Sequence, residues 1–182
     1  MNQEASDPHR HSASQLLATI EELTRRHHSG ANWFFWIAGL SLINTIATHS
    51  GSEMGFILGL GITQFIDAIA LLANEDKSVD AGSVVTTVAV VLDVLAIASF
   101  ALWGFLARKG MRWAYIVGMV LFALDTLLLL IGMDLLGIAL HAFALFCIFN
   151  GFKAHGQLRE IMKLVDAARA EDGSPEQAEP AL

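Results

Sequence analysis

The chain has 182 residues, of which 54% are hydrophobic and only 16% charged, and its mean hydropathy is +0.54. A soluble domain carries about 25% charged residues, so this composition argues against a soluble globular protein and for an integral membrane protein. The formal charge of −7 has no basic excess to attract nucleic acid, and one cysteine, Cys147, cannot form an intrachain disulfide.

Residues 1–12 (MNQEASDPHRHS) are polar enough to be disordered. Leu16, Leu17, Ile20 and Leu23 then recur at helical spacing, with Glu21, Glu22, Arg25 and Arg26 on other faces. This predicts a short amphipathic helix over 14–28 within a polar segment 1–30, ended by Gly30. His9, His11, His27 and His28 read as part of that solvated segment. No basic leader precedes the first apolar run, so that run is expected to be retained as a span.

A membrane domain over 31–153 follows, with five apolar runs: 33–48, 54–73, 81–107, 111–132 and 134–152. The first opens with NWFFW and the fourth with Trp113 and Tyr115, aromatic clusters that suit a membrane interface. About 20 residues are needed to cross about 30 Å of hydrocarbon; the first run is the shortest. WIAGLSL (36–42) resembles YIVGMVL (115–121), which with five spans would make an inverted repeat. Leu158, Ile161, Met162 and Val165 mark a second amphipathic helix over 154–171, continuing the fifth run, and 172–182 is a disordered tail. The expected fold class is all-α: a bundle of about five transmembrane helices with short amphipathic helices at both ends.

Five spans put the termini on opposite sides. Arg108, Lys109, Arg112, Lys153, Arg159 and Lys163 collect on one side, and Arg10, Arg25, Arg26 and Lys77 on the other. The positive-inside rule then favours a cytoplasmic C-terminus, in a bacterial inner membrane, with the N-terminus outside.

Ionisable residues within membrane helices are costly and face the protein interior. The candidates are Asp67, Asp93, Asp125 and His141, with Asn44 and Gln64 as supporting polar groups. The fourth and fifth runs are joined by Gly132-Met133 alone. Asp125 lies eight residues before Met133 and His141 eight after it, so the two should sit level, about 12 Å below the turn. Counting along the runs brings Asp67 and Asp93 into the same half of the bundle. Asp134, just after the turn, is expected to cap the returning helix. Small residues lie on the same faces: Gly55, Gly59 and Thr63 lead to Asp67, and Gly137 to His141.

Three acids and a histidine at close range in low dielectric cannot all be charged. The expected function is to move or sense a proton or cation through this cluster. The alternative is a non-catalytic membrane subunit or scaffold that binds a partner through small-residue faces and the end helices. A metal bound by Asp and His is a possible variant of the first reading, and no cofactor is expected. His49 and His141 lie at different depths and could not clamp one haem. No HExxH, GxSxG or P-loop occurs, so no enzyme is expected. The expected partners are the lipid bilayer and a second copy or a partner membrane subunit.

Overall fold

The computed structural model describes residues 8–50, 60–75, 82–131 and 133–172. Both expected disordered tails, the start of the second run with Gly55 and Gly59, Lys77 and Gly132 lie outside or largely outside these residues. The described residues form five helices and no strand: α1 (Pro8–His49), α2 (Gly61–Glu75), α3 (Gly82–Arg108), α4 (Arg112–Ile131) and α5 (Leu135–Asp172). Three of them, α3, α4 and α5, are long and apolar enough to cross a membrane. Large apolar side chains cover their outer faces; Ile131, Met133 and Leu135 around one turn are 77–82% exposed. A surface of this kind suits lipid and not water. The Val-rich start of α3, GSVVTTVAVV, is helical despite its β-branched residues, because a helix meets every backbone hydrogen bond within the segment.

The two ends of the chain depart from expectation. The amphipathic helix 14–28 and the first apolar run are one continuous helix, and Gly30 does not end it. Gly30 instead faces Gly151 of α5: a Cβ on Gly30 would lie 2.5 Å from the Gly151 Cα. The two glycines let the backbones of α1 and α5 cross almost in contact, and this packing outweighs the weak helix propensity of glycine. The expected continuation of the fifth run into 154–171 is present, since α5 extends unbroken to Asp172.

Contacts fix the directions of the helices. Gly30 meets Gly151 and His27 meets His155, so α1 and α5 are antiparallel. Phe34 packs on Phe100, and Thr45 on Asp93, so α1 and α3 are antiparallel as well. Phe34 also packs on Gly118 and Tyr115, and Ser41 and Asp125 both bond the start of α2, so α1 and α4 are parallel. WIAGLSL and YIVGMVL therefore run the same way and are not an inverted repeat. The start of α1, the end of α5 and the α3–α4 turn share one end of the bundle, here the arm end. The α4–α5 turn lies at the other, the hairpin end. The expectation that the N- and C-terminal segments leave from opposite ends does not hold for these helices.

The reason is α2. Its first residues are level with Ser41, Asp125 and His141, in the middle of the bundle. Only seven Cα steps separate Glu75 from Gly82, a reach of at most about 25 Å. Since α3 starts at the hairpin end, α2 must run from mid-bundle to that end. Of the second apolar run, the described residues form α2 alone, which starts at mid-bundle.

Both tight turns have the same construction. Gly110 (φ 81) and Met133 (φ 55) adopt the left-handed conformation after α3 and α4. In each case the next residue donates its N–H back to the carbonyl five residues earlier, Met111 to Leu106 and Asp134 to Leu129, which satisfies the last carbonyls of the helix. Asp134 then caps α5: its Oδ1 accepts the Gly137 N–H at 2.9 Å, as a side chain at the N-cap does.

Candidate functional site

Asp125 sits on the inner face of α4, buried, at the point where α2 begins. The first N–H groups of a helix have no partner within it. Here they are met from other helices. The Gly61 N–H donates to Asp125 Oδ2 and the Ile62 N–H to Oδ1, each at 2.8 Å, and the Leu60 N–H donates to Ser41 Oγ at 2.7 Å. Ser41 in turn donates its hydroxyl to the Ile37 carbonyl of its own helix. Gly61 is confined against the Asp125 carbonyl and Leu129; an added Cβ would lie 3.1–3.2 Å from them. A carboxylate at a helix N-terminus is favoured by the partial positive charge of those N–H groups. The cap of α2 is thus supplied by α4, residues distant in sequence.

The same carboxylate meets His141. Nε2 lies 3.2 Å from Asp125 Oδ2, and Nδ1 lies 2.9 Å from the Gly137 carbonyl. A carbonyl can only accept, which assigns a hydrogen to Nδ1. The Nε2–Oδ2 contact then needs one more proton, held either by the imidazole or by the carboxyl group. In both forms one proton is shared between two almost fully buried side chains. Phe122 stacks on the His141 ring at 4.5 Å between centroids and 16° between planes, and holds it in register.

Asp67 and Asp93 are buried too, nearer the hairpin end than this pair. Thr45 donates to Asp93 Oδ2 at 3.5 Å, one turn beyond Ser41 and about 6 Å nearer the hairpin end. Asp67 lies six residues into α2, about 9 Å along it in the same direction. Asp67, Asp93 and Asn44 each have interactions with their neighbours. Gln64 is half-buried in the first turns of α2. The expected four-residue cluster is therefore a bonded pair at mid-bundle with two further acids toward the hairpin end. Among the described residues no group of three or more His, Cys, Asp or Glu is arranged to hold a metal.

A second polar group lies at the arm end, where His27 is buried and not part of a solvated segment. His27 is buried between α1, α4 and α5. Tyr115 donates its hydroxyl to the His27 carbonyl at 2.7 Å, and its oxygen lies 3.1 Å from His27 Nδ1. The His155 ring sits 4.7 Å from that of His27, and His28 at 5.2 Å. Burial, followed by the proximity of His155 and His28, lowers the His27 pKa from 6.5 to about 4, against a raising effect of the Arg108 carbonyl. Burial also lowers that of His155, with Arg159 and Arg112 adding to it. His155 lies against Gly110, where an added Cβ would stand 3.1 Å from its ring. His27 and Tyr115 are 88 residues apart, so only the folded chain joins them.

Fold and site together define a class: a helical bundle with three helices long and apolar enough to cross a membrane, and a buried carboxylate–imidazole pair at the start of α2. The chain matches no family model, no curated protein and no solved structure.

Proposed function

We propose that this is a small multi-pass membrane protein that moves or senses a proton through Asp125 and His141, with α2 as the element that responds. The observation that carries this reading is the double duty of one buried carboxylate. Asp125 bonds the start of α2 and also lies 3.2 Å from His141 Nε2. Removing the shared proton leaves a carboxylate oxygen facing the Nε2 lone pair, a repulsive contact in low dielectric. Relief of that contact by moving Asp125 undocks the first turn of α2. Both Asp125 oxygens already accept N–H donors, which favours a proton over a metal cation as the species handled. Asp93 and Asp67 would continue the route toward the hairpin end.

In this reading α1, α3, α4 and α5 cross the bilayer and α2 enters it halfway. Four crossings bring both ends of the chain to one side. The arm end then carries Arg25, Arg26, Arg108, Lys109, Arg112, Lys153, Arg159 and Lys163, and the positive-inside rule makes it cytoplasmic. In this reading the C-terminus is cytoplasmic and the N-terminus lies on the same side. Cysteines introduced at Ser12 and Glu171, in a Cys147→Ala background, test this: an impermeant maleimide should label both from the same side.

The functional test uses purified protein in liposomes with an internal pH dye, together with amide exchange of 60–63 as a function of pH. Wild type should carry proton flux, or show pH-dependent exchange there, and Asp125→Asn should lose either response. Absence of both in wild type would overturn the proposal. A second reading, a scaffold for a partner subunit, rests on the arms of α1 and α5 past the Gly30–Gly151 crossing, where Leu17 and Leu164 are 67% and 71% exposed. Co-purification of one stoichiometric membrane partner would favour it.

A further inference from the structure

At the arm end, the extensions of α1 and α5 diverge around a cavity of about 710 Å³, within the size range of sites for small organic ligands. Its walls combine two chemistries. Leu23, Phe152 and Ile161 supply apolar surface, and Arg112 and Lys153 supply two cations. Among the described residues neither cation has a carboxylate partner within ion-pair distance. Arg112 lies over the Phe152 ring at 5.1 Å, so an aromatic face on the cavity wall holds it there, and Lys153 lies 5.9 Å from the Phe149 ring. Glu160, also on the wall, is bonded to Lys163 at 3.2 Å, which offsets its charge. Arg112 opens α4 and Lys153 directly follows the last apolar run of α5. Both therefore stand where a bilayer surface would lie if α4 and α5 cross it.

We propose that this cavity binds the headgroup of an anionic membrane phospholipid, with Arg112 and Lys153 on the phosphate and the glycerol and first acyl carbons against Phe152, which lies toward the apolar run of α5, while Leu23 and Ile161 close the far side of the cavity. Cations at the mouth of an apolar cleft match an anionic amphiphile and not a soluble anion, and basic pockets between membrane helices on the cytoplasmic side take such headgroups. The proposal rests on the membrane placement above but not on proton handling. Asp125→Asn is therefore expected to leave lipid binding unchanged.

The test is native mass spectrometry of the full chain in delipidating detergent, titrated with dioctanoyl phosphatidylglycerol, dioctanoyl phosphatidylcholine or inorganic phosphate. One phosphatidylglycerol should be retained in preference to phosphatidylcholine. Each basic side chain near a surface contributes about fivefold, so Arg112→Gln with Lys153→Gln should weaken retention about thirtyfold. Arg112→Lys, which keeps the charge, and Arg169→Gln, about four turns of α5 beyond Lys153, should retain most of it. Equal retention of both lipids, or an unchanged double variant, would overturn the proposal. So would inorganic phosphate competing at equal concentration, which would make this a site for the free anion. A double variant that fails to fold leaves the lipid preference of wild type and the Arg112→Lys result as the deciding measurements.

Discussion

Replacing Asp125 by Asn tests the site most directly, because it changes hydrogen-bond polarity while keeping shape. The carboxylate accepts from Gly61 and Ile62, one N–H on each oxygen. A carboxamide has one acceptor oxygen and one NH₂ group, so in either orientation one buried backbone N–H faces a donor. Losing the acceptor of a buried N–H costs about 1–3 kcal/mol, and the surviving bond changes from charge-assisted to neutral, costing about 1 kcal/mol more. Asp125→Asn should therefore destabilise the docked start of α2 by about 2–4 kcal/mol. Amide exchange by mass spectrometry should show residues 60–63 exchanging at least about thirtyfold faster, since each 1.4 kcal/mol is about tenfold. Amides of α5 near Ala144 and Ile148, buried in the central core, should keep their protection. Unchanged exchange at 60–63, or a uniform loss of protection over the whole bundle, would refute the assignment of Asp125 as the cap of α2.

Other perturbations probe the remaining contacts. Gly30→Ala gains about 1 kcal/mol of helix propensity but forces a Cβ to within 2.5 Å of backbone on α5. Overpacking of this kind costs about 1–3 kcal/mol, so thermal unfolding in detergent should show a net loss, whereas Gly39→Ala, which meets nothing within 4 Å, should be neutral or stabilising. Asp134→Ala removes the cap of α5 and should cost about 1 kcal/mol in the same assay. His27 is held neutral: its pKa falls from 6.5 in the unfolded chain to about 4 in the fold. Its contribution is complete above pH 6.5 and is lost as the pH falls toward 4, when the fold must accept a buried charge beside His155. The shift corresponds to at most about 3 kcal/mol, reduced to about 1–2 kcal/mol by screening at the solvent-facing arm end. The melting temperature should drop between pH 7 and pH 4.5, and His27→Gln should flatten that slope; an equal slope in both proteins would exclude His27 as its source.

The α4–α5 hairpin was legible in the sequence because its geometry is local. Two residues between apolar runs leave no choice but an antiparallel pair, helical rise makes Asp125 and His141 level, and Asp134 follows the turn at the N-cap position. The half-length α2 was harder to see. The described part of that run contains Gly61, Thr63, Gln64 and Asp67 among its apolar residues, and none of these marks where a helix starts. Hydropathy alone cannot separate such a segment from a full span, because both are equally apolar.

Helix content, apolar outer faces and the hairpin were thus set by the sequence alone, since they depend on composition and on neighbours within about two turns. Which groups meet across helices was decided only by the tertiary structure. Gly30 against Gly151, Ser41 under Leu60, Asp125 at the head of α2 and His27 under Tyr115 all depend on how separate helices cross. Periodicity tells which face is smooth or polar but not which helix comes to lie upon it. The buried N–H groups at the start of α2 need acceptors, and the folded bundle supplies them from two helices, α1 and α4, that no local pattern brings together there.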